Sequence, residues 1–341
     1  MKSVSGHCLI GITIAVLLLF TASIQAQAVF VPREDIVTVY AGHFQLNGRP
    51  FVPKGVNYYP ARSPWRLFWL QYDSQTVRKD MDIMCRLGFN TFRIFIGFDD
   101  LNEAGTTALR LAQLKDLLDL AQERKLKVII TLFDFLGDYS PAHYPAVDKE
   151  LMLLLGAFKD HKAVFAWDLK NEPDLDFRST SVEVREWLTW ILGRARADDP
   201  FHLLTIGWAD PANALLFKDR VDFLSFHSYR PPELLDAELD SLRAGAAGKP
   251  LLLEEFGRST YQESGVSSRR EEKAQARYFS RVREILHRRG DVPALVWTLY
   301  DFYQVPVSVV GPSAWRRAEQ SRFGILRLDG SRKPGTMVLT H

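Results

Sequence analysis

The sequence predicts an α/β chain closed into a (β/α)8 TIM barrel, as a single domain with a short N-terminal β-hairpin. Three observations carry this. Short apolar runs alternate with amphipathic stretches of helical period, the pattern of βαβ units and a parallel sheet. Eight such runs occur, and eight strands with intervening helices in about 300 residues match the usual size of that barrel. No Pro/Gly/Ser linker, low-complexity tract or short-period repeat divides the chain, and 47% hydrophobic residues can build one large core. A doubly wound open sheet is the competitor, but it would normally show a Gly-rich first turn, and Gly55-Val56-Asn57-Tyr58 has no G-x-G-x-x-G.

Lys2 precedes an apolar segment from Leu9 to Phe20, then a polar, small-residue stretch to Gln27 and an Ala26-Gln27-Ala28 site. This layout predicts a secretory signal peptide over residues 1–28, cleaved after Ala28, with a retained anchor as the alternative; the apolar run is short for a membrane span. Residues 29–341 then form the barrel domain, secreted or periplasmic, with no membrane attachment once the signal is removed. Cys8 leaves with the signal, so Cys85 is the single remaining cysteine and no intramolecular disulfide is possible. Cys85 lies in a helical pattern with Met81, Met84 and Leu87 and is expected in the core.

The hairpin is predicted at His43 to Leu46 and Pro50 to Val52, around the turn dipeptide Asn47-Gly48. The barrel strands follow at Gly55 to Tyr58, Thr91 to Ile96, Val128 to Phe133, Val164 to Leu169, Leu203 to Ile206, Phe223 to Phe226, Leu251 to Glu254 and Leu295 to Leu299. Helical patterns between them include Ser74 to Leu87, Leu109 to Arg124, Lys149 to Lys159, Ser181 to Ala197 and Arg269 to Arg289. A formal charge of +2 gives no reason to expect nucleic acid or an anionic membrane as partner, and a monomer is expected.

Two strings carry the chemistry: Asn171-Glu172-Pro173 and Glu254-Glu255-Phe256-Gly257. Each follows directly on an apolar run, which puts a carboxylate at the carboxyl end of a buried strand, where barrel chemistry collects. Two glutamates so placed are the minimum machinery for cleaving a glycosidic bond. Eight Trp and eleven Tyr also supply flat aromatic faces of the kind sugar clefts use.

Further strings fall at strand ends in a fixed order: Gly55-Val56-Asn57-Tyr58-Tyr59-Pro60, Asn90-Thr91-Phe92-Arg93, Trp167-Asp168-Leu169-Lys170-Asn171-Glu172-Pro173, His227-Ser228-Tyr229, Glu254-Glu255-Phe256-Gly257 and Trp297. On these residues the chain resembles glycoside hydrolase family 5 of clan A, the cellulase and β-mannanase family, over nearly all of the mature sequence. The resemblance implies that Glu172 is general acid and then base, and that Glu255, not Glu254, is the nucleophile. Side chains of adjacent strand residues point to opposite faces, so one of the two is expected at the barrel axis and Glu254 between strand and helices or at the rim, paired with a cation. A catalytic acid must hold its proton near neutral pH, so a raised pKa is expected for Glu172.

Arg93, a charge inside an apolar run, is the natural partner to keep Glu255 ionised. By the resemblance, Tyr229 donates to the nucleophile, His227 lines the cleft near the acid, Asn171 bonds the sugar 2-hydroxyl, Trp297 floors the subsite beside the scissile bond, and Asn57 supports the site. Asp134 stands where many relatives carry His or Asn at the third strand, and is a further cleft candidate. Trp208 is a candidate platform for another subsite, as are Trp65, Trp69, Tyr300, Tyr303 and Trp315, with core packing the rival role for each. His43, His161, His202 and His287 read as structural. No metal-ligand spacing or phosphate loop is present, so neither a metal nor any cofactor is expected.

The expected function is a retaining β-glycoside hydrolase acting on a carbohydrate, a β-linked polysaccharide or oligosaccharide. Trp167-x-Leu169-x-Asn171-Glu172-Pro173 and Leu253-Glu254-Glu255-Phe256-Gly257 resemble the β-mannanase branch, which favours mannan over glucan. Loops at Asp134 to Val147 and Tyr300 to Arg322 leave exo action on short oligosaccharides open. An inverting hydrolase and a non-catalytic carbohydrate-binding barrel are rival readings of the same residues.

Overall fold

A computed structural model describes residues 33–102, 105–262, 269–290 and 292–340, which fall in one compact unit. The expected signal segment, 1–28, lies outside them. Three short antiparallel strands come first: β1 (Val37–Tyr40), β2 (His43–Leu46) and β3 (Arg49–Pro50). Eight parallel strands then close a barrel in chain order: β4 (Lys54–Asn57), β5 (Thr91–Gly97), β6 (Lys127–Asp134), β7 (Val164–Asn171), β8 (Leu203–Trp208), β9 (Leu224–Ser228), β10 (Leu251–Phe256) and β11 (Ala294–Val296), with β11 pairing back onto β4. The expected barrel is therefore present. Every residue of β6 and of β10 is buried, because helices cover the outer face and side chains fill the inner one.

The strand ends differ in detail from expectation. β11 stops at Val296 rather than Leu299, and the chain turns across the strand tips, where Trp297 N–H donates to the Phe256 carbonyl at 2.8 Å and Leu299 N–H to that of Asn57 at 3.2 Å. Among the helices, Ser74–Arg86 is capped by Asp73, whose carboxylate accepts from the N–H of Gln75 and Thr76. Tyr144–Phe158 begins five residues earlier than predicted, with a proline in its first turn, where the missing N–H is not needed. Pro232–Gly245 opens on a proline in the same way and is a helix that the periodicity of the sequence did not single out.

Cys85 is exposed, not in the core. The buried stripe of its helix runs through Val77, Met81 and Met84, and Cys85 follows Met84 about 100° further round the helix.

The N-terminal sheet has one strand more than the predicted hairpin. Asn47 and Gly48, with φ of 53° and 72°, make the two-residue turn between β2 and β3. β1 joins β2 through Ala41-Gly42, also at positive φ, a pair with a weaker turn signal. The sheet closes the end of the barrel at the strand N-termini: Val37 and Phe44 pack with Ile129, Phe165, Phe223, Leu252 and Leu295. Phe44 meets Phe165 and Phe223 edge-on, at 5.3 and 5.1 Å between centroids. Since side chains two apart share a face, Ile129 is followed in the interior by Thr131, and Leu252 by Glu254. The upper interior, beneath the strand carboxyl ends, is thus polar: Asn57, Arg93, Thr131, Asp168 and Glu254 are all buried there.

Candidate active site

Arg93 organises the upper layer. Wholly buried on β5, it donates from Nε to Thr131 Oγ1 (2.7 Å), from Nη1 to Asn57 Oδ1 (3.1 Å) and Glu255 Oε1 (2.5 Å), and from Nη2 to Asp168 Oδ2 (2.7 Å) and Asn171 Oδ1 (2.9 Å). Burial disfavours the charged guanidinium, but Glu254, Asp168 and Glu255 around it more than reverse that and hold it ionised. Asp168 in turn is pushed up to about 6, by burial first and then by Glu254. Asn57 faces inward rather than toward the cleft: its amide donates to the Glu254 carbonyl at 2.9 Å, tying β4 to β10 under the site.

Glu255 sits at the tip of β10 with both oxygens engaged, Oε1 by Arg93 and Oε2 by the Tyr229 hydroxyl at 2.6 Å. Glu172 follows β7 in the left-handed region, at φ 46°, a conformation costing about 1 kcal/mol or more that its N–H bond to the Gly207 carbonyl (2.7 Å) holds in place. Its Oε1 lies 2.8 Å from His227 Nδ1. A carboxylate oxygen of Glu172, one of Glu255 and a ring nitrogen of His227 all fall within 4.8 Å of one another. A cation shared by these three groups would compete with the hydrogen bonds that already engage Glu172 Oε1 and both oxygens of Glu255.

Glu254 is neither between the layers nor at the rim: it is wholly buried inside the barrel, with Oε1 3.5 Å from Arg93 Nε. The strict alternation argument fails because β10 carries a register shift against β9 between Leu253 and Glu255. Such a bulge rotates successive side chains, so both glutamates approach Arg93 from one side. Nor does Glu172 have a raised pKa. Burial pushes its carboxyl up, but the hydrogen bond and charge of His227, with Arg93 and Lys170 beyond, outweigh this and hold it below its ordinary value. His227 shows the converse: burial would lower it, yet Glu255, Glu172 and Glu254 raise the imidazole to about 10. The resting pair is a carboxylate and an imidazolium.

Above these groups lies a cavity of about 590 Å³. Glu172, Glu255, Asn171 and Tyr229 line it, with Trp297 and Trp65 on one side and Asp134 on another. Asp134 ends β6 and is pushed up to about 6 by burial, against the pull of Lys170 and Arg93. Lys170 is a cleft residue that the sequence did not mark out: nearly buried, it donates to the Asn171 carbonyl at 3.0 Å. Its position two after Asp168 on β7 was the available signal.

Trp208 is not in the cleft. It is buried behind β8, stacked on Phe217 at 6.1 Å with Phe177 edge-on, so the packing role holds. Trp69 and Tyr300 are likewise structural, bonding the Phe95 carbonyl and Asp80. Tyr303 and Trp315 are half-exposed.

The model of the family "Cellulase (glycosyl hydrolase family 5)" matches residues 45–302. The mannan endo-1,4-beta-mannosidase A of Podospora anserina is 25% identical over 281 residues, covering 64% of this chain and 74% of that protein. The mannan endo-1,4-beta-mannosidase 1 of Oryza sativa subsp. japonica is 25% identical over 181 residues, and the match spans 42% of this chain and 41% of that relative's length. The solved structure of an exo-beta-1,4-mannosidase from Opitutaceae bacterium strain TAV5 superposes with a TM-score of 0.72 at 22% identity, over 89% of this chain and 61% of that one. The chain belongs to glycosyl hydrolase family 5.

Proposed function

We propose that the chain is a retaining β-glycoside hydrolase that cleaves β-linked mannan or manno-oligosaccharides by double displacement. The observation that carries this is the approach of the Glu172 and Glu255 carboxylates to within 4.8 Å. Retaining enzymes hold the two carboxyl groups about 5–5.5 Å apart, whereas an inverting pair leaves room for a water at roughly 6.5–9.5 Å. Glu255, oriented by Arg93 and Tyr229, attacks the anomeric carbon while Glu172 protonates the departing oxygen. Water then gives a proton to Glu172 and displaces Glu255 from the sugar, regenerating both groups. The family and the names of its mannosidase relatives support a β-mannoside as substrate. Export through the N-terminal segment belongs to the same reading; no helix among the described residues is long and apolar enough to cross a membrane.

Exo action is a second reading, favoured by the walls of the cleft. Leu136 and Gly137 after β6, Leu175 and Asp176 after β7, and Val309, Val310 and Phe323 after β11 rise around the carboxylates, enclosing a cavity in the size range of sites for small ligands. Product sizes from mannan and from mannotetraose separate the two modes: single sugars released from one end mean exo, mixed oligosaccharides mean endo. The chemistry itself is tested by Glu255→Ala. Turnover of an aryl β-mannoside should nearly vanish, and azide should restore it with the α-glycosyl azide as product, since one displacement inverts. Wild-type-like hydrolysis by this variant ends the assignment.

A further inference from the structure

We propose that Glu254 is a positioning residue for proton exchange between His227 and Glu172: its carboxylate behind the imidazole keeps a proton on Nε2, so that Nδ1 is the nitrogen that trades a proton with Glu172. This rests on reading Glu172 as the acid/base.

His227 and Glu254 are both wholly buried, and the ring lies between two carboxylates. Nδ1 is 2.8 Å from Glu172 Oε1, and Nε2 is 3.8 Å from Glu254 Oε2 and 3.7 Å from Glu255 Oε1. Neither oxygen of Glu254, nor His227 Nε2, has a hydrogen-bond partner among the described residues. A buried carboxylate left without donors is costly, and the barrel nonetheless makes room for it. Opposite on β8 stands Gly207, where a Cβ would come to 2.8 Å from Glu254 Oε2, 3.0 Å from Arg93 Nη2 and 3.2 Å from Asp168 Oδ2.

The charged and titratable groups around the ring come from five strands. Arg93 on β5 and Asp168 on β7 lie beneath, Glu254 and Glu255 on β10 face Nε2, and Glu172 after β7 faces Nδ1. Lys170, Asp134 at the end of β6 and Tyr229 after β9 close the cleft side, and Asn57 on β4 braces Arg93. Of the two carboxylates near Nε2, Glu255 cannot hold that proton throughout the cycle. Its oxygens are engaged by Arg93 and Tyr229, and its charge is lost when it becomes the glycosyl ester. Glu254 keeps its position and takes no part in bond making, so it faces Nε2 in every state.

The protons then balance. At rest the pair holds one exchangeable proton, on Nδ1, and Glu172 is ionised. When the sugar covers Glu172 the proton crosses 2.8 Å to it, leaving a neutral ring protonated at Nε2. The proton now on Glu172 goes to the leaving oxygen as Glu255 bonds the anomeric carbon, while the proton on Nε2 stays. The attacking water returns one proton to Glu172 as the ester breaks, and with product gone it passes back to Nδ1. Glu172 thus becomes an acid when substrate arrives, without holding its proton in the free protein.

Histidine ring 15N resonances of the full chain, with His227 assigned by its loss in His227→Gln, test this without any turnover. The neutral ring should carry its proton on Nε2. In Glu254→Gln the titration midpoint should fall by at least about one pH unit, because a negative charge beside the ring is gone, and Glu254→Asp should restore most of the shift. A neutral ring protonated on Nδ1, or a midpoint that Glu254→Gln leaves in place, overturns the proposal. The tautomer of the wild type decides even if the variant fails to fold. In kinetics, the alkaline limb of kcat/KM should move down with the midpoint, with the loss concentrated on substrates having poor leaving groups. A wild type that turns over no glycoside, with the Nε2 tautomer present, would instead sink the hydrolase reading.

Discussion

Toward the N-terminal ends of the barrel strands the interior is filled by Ile129, Phe165, Leu252 and Leu295, closed from below by Phe44. One layer up on the same strands stand Thr131, Asp168 and Glu254, gathered around Arg93 from β5. The lower layer gains by removing apolar area from water and by edge-on aromatic contacts. The upper layer takes a guanidinium and several carboxylates out of water, and their mutual attraction roughly offsets the desolvation. A barrel that needed stability alone would have continued the hydrocarbon upward. The upper interior is thus shaped for chemistry and is carried energetically by what lies beneath it.

Removing the hub should have the largest effect. Arg93→Met leaves Asp168, Glu254 and Glu255 buried without their cation, a loss of about 4 kcal/mol in chemical unfolding. Turnover should fall by at least about a thousandfold as Glu255 loses its orientation. If stability fell and turnover did not, the upper layer would be structural after all. Phe44→Ala probes the other layer. Deleting this ring should cost about 3 kcal/mol yet leave kcat of the folded fraction within about twofold, because it touches nothing near the carboxylates. A large drop in kcat would show that the two layers are coupled.

The two layers were unequally legible in the sequence. The apolar runs located all eight barrel strands, because a parallel sheet buried on both faces has few other readings. Glu172 and Glu255 stood out as carboxylates at strand tips. What stayed hidden depended on local breaks in regularity or on charges meeting from distant strands. The shift in register at Leu253–Glu255 set Glu255 beside Glu254 on the side of Arg93, against the rule of alternation. The low pKa of Glu172 needed His227, 55 residues away in sequence, to arrive at hydrogen-bond distance. Lys170 and Asp168 lay within a quoted motif, but their roles appear when β7 is set beside β5 and β6.

Gly207→Ala adds a single methyl group to the polar layer. The added Cβ would press on Glu254, Arg93 and Asp168 at 2.8–3.2 Å, and overpacking of this kind costs about 2 kcal/mol. Activity should fall with it, by about tenfold, since the atoms displaced are those that set Arg93 and Glu255. A melting temperature and rate equal to the wild type would mean that the polar layer relaxes freely, unlike a packed core.

Asp134→Asn should give the smallest change, and in the opposite direction. An aspartate in an unfolded chain ionises near 3.9, whereas burial beside the cleft keeps Asp134 protonated up to about 6. Between those values the folded state binds the extra proton, so this group's contribution to stability is fully present below about pH 4 and is lost as pH rises through 6. Asparagine carries no such proton. The variant should match the wild type at pH 4 and exceed it by about 1–2 kcal/mol at pH 8, read as the difference between two melting curves measured across that range. Asp80, Asp100 and Asp168 are also held near 6 and act on both proteins alike, so they cancel in that difference. A constant offset would mean that Asp134 meets enough water in the cleft to ionise at no cost. A rising one shows directly that a carboxylate at the mouth of the site destabilises the fold at the pH where it is charged, as expected of a position kept for what it binds.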